Sequence, residues 1–288
     1  MEGKDAERMG RAILITGCSS GIGLCAARGL RARGYRVFAT ARKAADVARL
    51  SEEGLEALRL DLDEPDSIAQ AVEAVLARTG GCLYGLFNNG AYGQPGALED
   101  LSREALRRQF ETNVFGWQEL TNRVIPVMRR QGGGRIIHNS SVLGFVAMPY
   151  RGAYNASKYA LEGLADTQRL ELRGTGIHIA LIQPGPIESR FRANAHRAFL
   201  RWVDAEASPH RDNYQAMMDR LTREGPVVPF TLPPEAVLKK VIHALESPRP
   251  RIRYRVTVPT HLFAVLKRLL PDAWMDRVLG RSSGGGKR

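Results

Sequence analysis

The stretch RAILITGCSSGIG, residues 11–23, decides how the rest of the chain is read. Its first part, Arg11–Thr16, is a short apolar run of the kind that forms a strand buried on both faces. Glycines follow at 17, 21 and 23, and from Ile22 the apolar spacing turns helical as far as Arg33, with Gly34 as the stop. A strand, a glycine-rich turn and a helix in that order make the setting in which a dinucleotide is cradled. Gly17 permits the tight turn, Gly21 lets backbone approach a pyrophosphate, and Gly23 lets the helix pack close to the strand. The unpaired N–H groups at the helix start carry partial positive charge toward the phosphates, and Ser19, Ser20 and Ile22 stand in the same turn.

Outward from this unit the pattern repeats. Strands are expected at Tyr35–Thr40, Leu55–Leu60, Leu83–Phe87, Arg135–Asn139 and Ile177–Ile182. Helices are expected at Asp46–Leu50, Glu64–Arg78, Arg103–Phe115, Trp117–Arg130 and Tyr154–Leu172. Apolar strands alternating with amphipathic helices predict an α/β fold: one doubly wound (Rossmann) parallel sheet of about seven strands with helices on both faces. A further helix over Pro233–Glu246 and a seventh strand over Arg251–Val258 complete it. Residues 186–234 break the pattern and are rich in Arg, His, Pro and Met, so they read as a lid over a substrate site, or more plainly as a surface insertion with its own small core. Residues 261–279 form an apolar, basic closing segment, and the polar ends 1–10 and 281–288 are expected to be mobile. The chain from 11 to 280 is read as one domain.

A formal net charge of +12 favours an anionic partner, but the arginines are spread over the helices rather than gathered in one run, which speaks against nucleic acid. Cys18, Cys25 and Cys82 have no metal-ligand spacing with each other or with histidine, so no metal site is expected and a reducing compartment fits. No apolar run approaches the ~18 residues needed to span a bilayer, nor does the N-terminus read as a signal peptide. The expected location is the cytoplasm, with peripheral membrane contact through 261–279 as an added option.

The second strand speaks to cofactor choice. An Asp or Glu there would hold a ribose 2′-hydroxyl; this strand runs into Thr40-Ala41-Arg42-Lys43, without an acid. The Arg42 guanidinium suits a 2′-phosphate, so NADP(H) is expected, although Arg42 also reads as a solvated charge. Asp61, after the third strand, could accept from an adenine amino group or simply cap a turn.

Tyr154 and Lys158 are four residues apart and share a helix face. A phenol with an ordinary pKa of ~10 is a poor base at neutral pH, and a neighbouring ammonium favours its ionised form. Ser141, just past the fifth strand, can hold a substrate carbonyl oxygen, and Asn113 could tie a water to Lys158. Each of the four is commonplace alone; their order and placement carry the reading.

Together these features resemble the short-chain dehydrogenases/reductases over about residues 11–260: the Thr16–Gly23 loop, Asn88-Asn89 after strand four, Asn113, Ser141, Tyr154 with Lys158, and Pro184-Gly185 after strand six. The resemblance implies a catalytic Asn113–Ser141–Tyr154–Lys158 tetrad that reduces a carbonyl with NADPH or runs the reverse reaction. It implies cofactor contacts from Gly17, Ser19, Ser20, Gly21, Ile22, Gly23, Arg42, Asp61, Leu62, Asn88, Gly90, Tyr154, Lys158, Pro184, Ile187 and Ser189. Substrate would meet Ser141, Tyr154 and Phe191, and a homodimer or homotetramer is implied. The C-terminal part looks like the NADP-dependent aldehyde, retinoid and hydroxysteroid reductases. Two departures stand out: Gly90-Ala91 where the family has Ala-Gly, and Ser189 in place of a Thr. Neither removes a catalytic group. Three other functions stay open: a non-catalytic NADP sensor on the same fold, an epimerase or dehydratase, and a peripheral membrane protein.

Overall fold

The structure, a computed structural model, describes residues 10–223, 225 and 228–282. Seven parallel strands form one sheet in the order β3-β2-β1-β4-β5-β6-β7: β1 (Ala12–Ile15), β2 (Arg36–Ala41), β3 (Glu56–Arg59), β4 (Gly85–Asn88), β5 (Gly134–Asn139), β6 (Ile177–Gln183) and β7 (Arg253–Arg255). Neighbouring residues on a strand point to opposite faces, so both faces must be apolar. Leu14, Leu86 and Ile136 enter one core, against α3 (Pro65–Arg78), α5 (Gly116–Arg130) and α6 (Gly152–Glu171). Ile13, Ile15, Phe87 and Ile137 enter the other, against α1 (Gly21–Ala32) and α9 (Glu235–Glu246). Strand order reverses between β1 and β4, and the loops leaving their carboxyl ends diverge to open a crevice there. A short helix, α2 (Ala44–Glu52), links β2 to β3.

Several expected boundaries differ, for physical reasons. Helices over 103–115 and 117–130 were expected to part at Gly116. Instead α4 (Arg103–Phe110) passes into α5 through one π-helical turn, Glu111–Phe115. A Cβ at Gly116 would stand 2.1 Å from the Leu62 carbonyl oxygen. This glycine serves close packing and ends no helix. The seventh strand is only Arg253–Arg255. The segment 186–234 is not patternless, since it holds α7 (Phe191–Trp202) and α8 (Arg211–Thr222). The closing segment is two helices, α10 (Val258–Leu269) and α11 (Asp272–Ser282), broken at Pro271. Arg281 and Ser282, expected in a mobile tail, complete α11; Gly10 is an exposed turn residue. Residues 1–9 and 283–288 lie outside the described residues.

Candidate active site

The turn after β1 is bound together from below. Thr16 Oγ1 accepts from the backbone N–H groups of Asn89 (2.8 Å) and Gly90 (2.9 Å), which follow β4. The Asn89 amide donates back to the carbonyls of Thr16 (3.0 Å) and Gly17 (3.3 Å), and accepts from Asn139 Nδ2 at 2.9 Å. The carboxyl ends of β1, β4 and β5 are thus laced at the point where strand order reverses. A Cβ on Gly17 would come within 2.5 Å of Gly90 Cα, and one on Gly23 within 2.2 Å of the Gly17 carbonyl oxygen. These contacts leave the loop bare of side chains where phosphates would approach. Ser20 precedes α1 without using its hydroxyl to cap it, and the first turn of α1 carries no acid. The thiol of Cys18 points inward to the Ile15 carbonyl (3.3 Å), and burial pushes its pKa up to about 12.

Arg42 directly follows β2 with its side chain 64% exposed, and its Nε is 4.0 Å from Asp61 Oδ2. The guanidinium therefore keeps most of its donors for a ligand. Asp61 accepts from the Asp63 N–H at 3.2 Å, and its pKa is raised, chiefly by burial. Leu62 is buried in the core beside Gly90. The loop after β6 crosses toward the glycine turn: Ser189 Cβ lies 3.1 Å from the Cβ position of Gly21, and the Pro184 carbonyl accepts from Val142 at 2.8 Å. Ile187 pairs in a short bridge with Leu232. Asn88 differs from the expectation of a cofactor contact. Its side chain is buried, donates to Thr121 Oγ1 at 3.0 Å and lies 3.2 Å from His138 Nδ1.

Ser141, Tyr154 and Lys158 converge at the carboxyl end of β5. The Ser141 Oγ accepts from the Leu143 N–H at 3.1 Å, and its hydroxyl pulls the pKa of the Tyr154 phenol down. One helical turn further, the Lys158 ammonium is 1% exposed, donates to the Asn139 carbonyl at 2.8 Å and lies 4.2 Å over the Trp117 ring. Burial lowers the Lys158 pKa to about 7, opposed by the Glu162 carboxylate on the next turn. Burial raises the Tyr154 pKa to about 12, opposed by the Ser141 bond and the charge of Arg151. An ammonium next to a phenol is expected to lower it; in the protein itself loss of water around the phenol outweighs the lowering pulls, which come from Ser141 and Arg151.

Asn113 is fully buried in the π-helical turn. Its amide donates to the Tyr92 carbonyl (2.9 Å) and Ser157 Oγ (3.2 Å), and accepts from the Tyr92 N–H (3.2 Å). The side chain thus clamps the Tyr92 loop to α6 at Ser157, the residue next to Lys158. Asn89, expected only as part of the Asn88-Asn89 pair, is the latch described above, and one further residue has no place in the sequence reading. Trp117 donates from Nε1 to the Gly90 carbonyl at 2.7 Å while its ring covers Lys158. Its spacing of four from Asn113 was the available signal.

Two apolar clusters flank Tyr154. Phe191, at the start of α7, meets the Tyr154 ring edge-on with centroids 5.3 Å apart. Behind it Phe199, Tyr214 and Met217 of α7 and α8 pack on Ala97, Leu101 and Ala153. The Tyr214 hydroxyl donates to Asp100 and accepts from the Ala97 N–H at 2.9 Å. On the other side Phe263, Met275 and Leu279 of α10 and α11 pack against Val142, Leu143 and Tyr154.

Residues 11–198 match the family model described as short chain dehydrogenase. The chain is 44% identical over 272 residues to the uncharacterized oxidoreductase YbbO of Escherichia coli (strain K12), covering 94% of each. It is 33% identical over 260 residues to 17-beta-hydroxysteroid dehydrogenase type 1 of Homo sapiens, covering 85% of this chain and 77% of that protein. A short chain dehydrogenase/reductase from Burkholderia phymatum, solved in complex with NAD, superposes with a TM-score of 0.77 at 25% identity, covering 95% and 96% of the two chains. With these matches and this sheet, the chain belongs to the short-chain dehydrogenase family of oxidoreductases, which use NAD(P).

Proposed function

We propose that the protein is an NADP(H)-dependent oxidoreductase that interconverts a carbonyl and an alcohol on a lipophilic substrate such as an aldehyde, retinoid or steroid. The observation that carries this reading is the convergence of Ser141, Tyr154 and Lys158: the serine hydroxyl acts on the Tyr154 phenol, and the ammonium lies 5.7 Å from the centre of the Tyr154 ring. The residues present fit the cofactor: glycines at 17 and 23, where a Cβ would strike neighbouring backbone, keep the turn tight and free of side chains, and Arg42 offers a guanidinium where an acid would repel a 2′-phosphate. Gly17, Ser19, Ser20, Gly21, Ile22 and Gly23 would hold the pyrophosphate, and Asp61, Leu62, Gly90, Pro184, Ile187 and Ser189 the remainder. Bound NADPH would supply the hydride.

The chain's own residues do the proton chemistry. Ser141 Oγ, positioned by the Leu143 N–H, orients the substrate oxygen; Tyr154 Oη gives it a proton or takes one back; Lys158 holds the charge that makes this exchange feasible. Asn113 keeps α6 and the Tyr92 loop in register, a positioning role. The apolar walls exclude water and suit a lipophilic body. An NADPH-oxidation screen over aldehydes, retinoids and steroids tests this. Tyr154→Phe is expected to lower kcat by about 10³-fold or more while leaving NADPH affinity unchanged. Normal kcat in that variant, or equal kcat/KM with NADH, would refute the roles given to Tyr154 and Arg42.

A homodimer or homotetramer in the cytoplasm is part of the same proposal, with the apolar groove of Phe110, Val114, Phe115 and Leu164 as the meeting face. Val258, Leu262, Val265 and Leu269 of α10, each more than half exposed, form one stripe, and Lys267 and Arg268 stand on the same helix. That stripe favours peripheral contact with an anionic membrane; no helix among the described residues is long and apolar enough to cross one. Sedimentation alone and with anionic vesicles reads both features: a monomer overturns the first, and vesicle-free protein the second.

A further inference from the structure

A lysine ammonium stripped of water has to find its partners inside the protein. Lys158 Nζ has three N–H donors. Among the described residues its one hydrogen-bond acceptor is the Asn139 carbonyl at 2.8 Å, and no carboxylate stands within ion-pair distance. Glu162, one turn further along α6, binds Gln183 Nε2 (2.9 Å) and Arg253 (2.8 Å) with its two oxygens. One neutral carbonyl is thin support for a buried charge.

The second partner is an aromatic face. Nζ lies over the Trp117 ring, 4.2 Å from its centroid, well inside the ~6 Å at which a cation is drawn to an indole. The Tyr154 ring is farther away, at 5.7 Å. The indole is fixed from several sides. Its Nε1 donates to the Gly90 carbonyl at 2.7 Å, and the Trp117 carbonyl accepts from Thr121 Oγ1 at 2.7 Å. Thr121 Oγ1 in turn accepts from Asn88 Nδ2 at 3.0 Å, and that amide lies 3.2 Å from His138 Nδ1. The His138 ring stacks on the indole, with centroids 6.0 Å apart and planes 13° apart. Trp117, Thr121, Asn88 and His138 thus make one buried frame, whereas simple filling of the core would not require the face of the ring to meet Nζ.

The titratable groups nearby leave Lys158 as the positive charge at this ring. On α6 they are Tyr154 and Glu162, and on β5 His138; α5 contributes the indole, and the π-helical turn the neutral Asn113, bonded to Ser157. Burial and the charge of Lys158 press the His138 pKa down to about 3, so this imidazole is neutral at physiological pH. Burial brings Lys158 itself down to about 7, with Glu162 opposing. A modest gain or loss of support therefore decides how much of the ammonium is present at neutral pH.

We propose that Trp117 is a positioning residue for Lys158: the face of its indole holds the ammonium charged and in place beside Tyr154, while its N–H ties the same ring to the loop after β4. This deepens the oxidoreductase reading and rests on it for the role of Lys158 in the reaction, though not for the hold of the ring on the ammonium. Trp117 touches neither the substrate nor the transferred proton; it acts through the lysine.

Truncating Trp117 would open a cavity in the core, so the test alters only the charge on its face. Tryptophan is replaced by its mono-, di- and trifluoro forms in full-length protein carrying Trp202→Phe and Trp274→Phe, which leaves Trp117 as the one site that takes the label. Fluorine draws charge from the ring face and keeps both the ring's shape and the N–H that binds Gly90. The Lys158 side chain is titrated by carbon NMR, its signal identified by its loss in Lys158→Met. The midpoint is expected to fall stepwise with each fluorine, by about one unit over the series. At about pH 8 kcat for a reducible aldehyde is expected to fall in step, by up to about tenfold, because above the midpoint each unit removes about nine-tenths of the ammonium. NADPH affinity should hold throughout. A midpoint that does not move, or one that moves while kcat stays unaltered, overturns the proposal. Should no carbonyl compound be reduced by the unlabelled protein, the reaction reading fails, and the titration alone decides: a stepwise fall upholds the hold of Trp117 on Lys158, and a fixed midpoint overturns it.

Discussion

The glycine turn and the helical segment 186–234, which we propose as a lid, are built on opposite principles. Around the turn, backbone meets backbone: Thr16, Asn89 and Asn139 bind three strand ends to one another, and Gly17 and Gly23 leave no room for even a methyl group. In the lid, α7 and α8 rest on side chains: Phe199 against Tyr214 at 5.0 Å, Tyr214 on Asp100 and Ala97, and Arg192 on the end of α8. Backbone contacts tolerate no substitution, whereas packed side chains can be exchanged for others of similar volume. A cofactor that never varies suits the first kind of wall, and a substrate pocket that must be tuned suits the second.

The contrast can be broken most severely at Gly23. Gly23→Ala forces a Cβ against the Gly17 carbonyl, and we expect a loss of about 3 kcal/mol, a fall in Tm on the order of 10 °C, together with loss of cofactor binding. An unchanged melt with intact NADPH affinity would show that the turn has slack after all.

Lys158 lies on the border between the two regions and offers an intermediate effect. Its folded pKa, about 7, is below its ordinary 10.5, so between those values the unfolded chain binds more protons than the folded one. Stability from this group must therefore rise with pH across that window, by up to about 1.4 kcal/mol per unit. We expect the wild type to gain stability from pH 7 to 9 relative to Lys158→Met; parallel melts of the two proteins would contradict the burial described for this ammonium.

The smallest effect belongs to the lid. Tyr214→Phe removes the hydroxyl that accepts from Ala97 and donates to Asp100, and we expect a cost of about 1–2 kcal/mol. KM for the carbonyl substrate should rise while NADPH affinity holds, since no strand end depends on this contact. An equal loss of affinity for both would mean that lid and turn are one unit.

The same contrast explains what was legible in the sequence. Strands buried on both faces and glycines forced by backbone contact leave strong marks, and so the sheet, the turn and the Tyr154–Lys158 pair could be read directly. The gap expected between residues 115 and 117 is absent, because Gly116 stays helical and admits the Leu62 carbonyl, which comes from a distant loop. Asn88 was read as a cofactor contact beside its neighbour Asn89, but in a strand successive side chains face opposite ways, and Asn88 turns into the core. The lid helices escaped notice because their apolar positions are mixed with arginines and match one another only across space.

Cys18 has a practical consequence. A thiol sits in the middle of the most sensitive turn of the molecule, yet it is sealed under the strand ends and keeps its proton up to about pH 12. The reactive form of cysteine is the thiolate, so alkylating reagents and peroxides find almost none of it there. Cys25 is also shifted upward, to about 11, by burial and by Glu235. Cys82, exposed at the opposite end of β4 from the cleft, is the thiol such reagents would meet first. It is thus a ready attachment point for a fluorophore or spin label that leaves the nucleotide turn untouched.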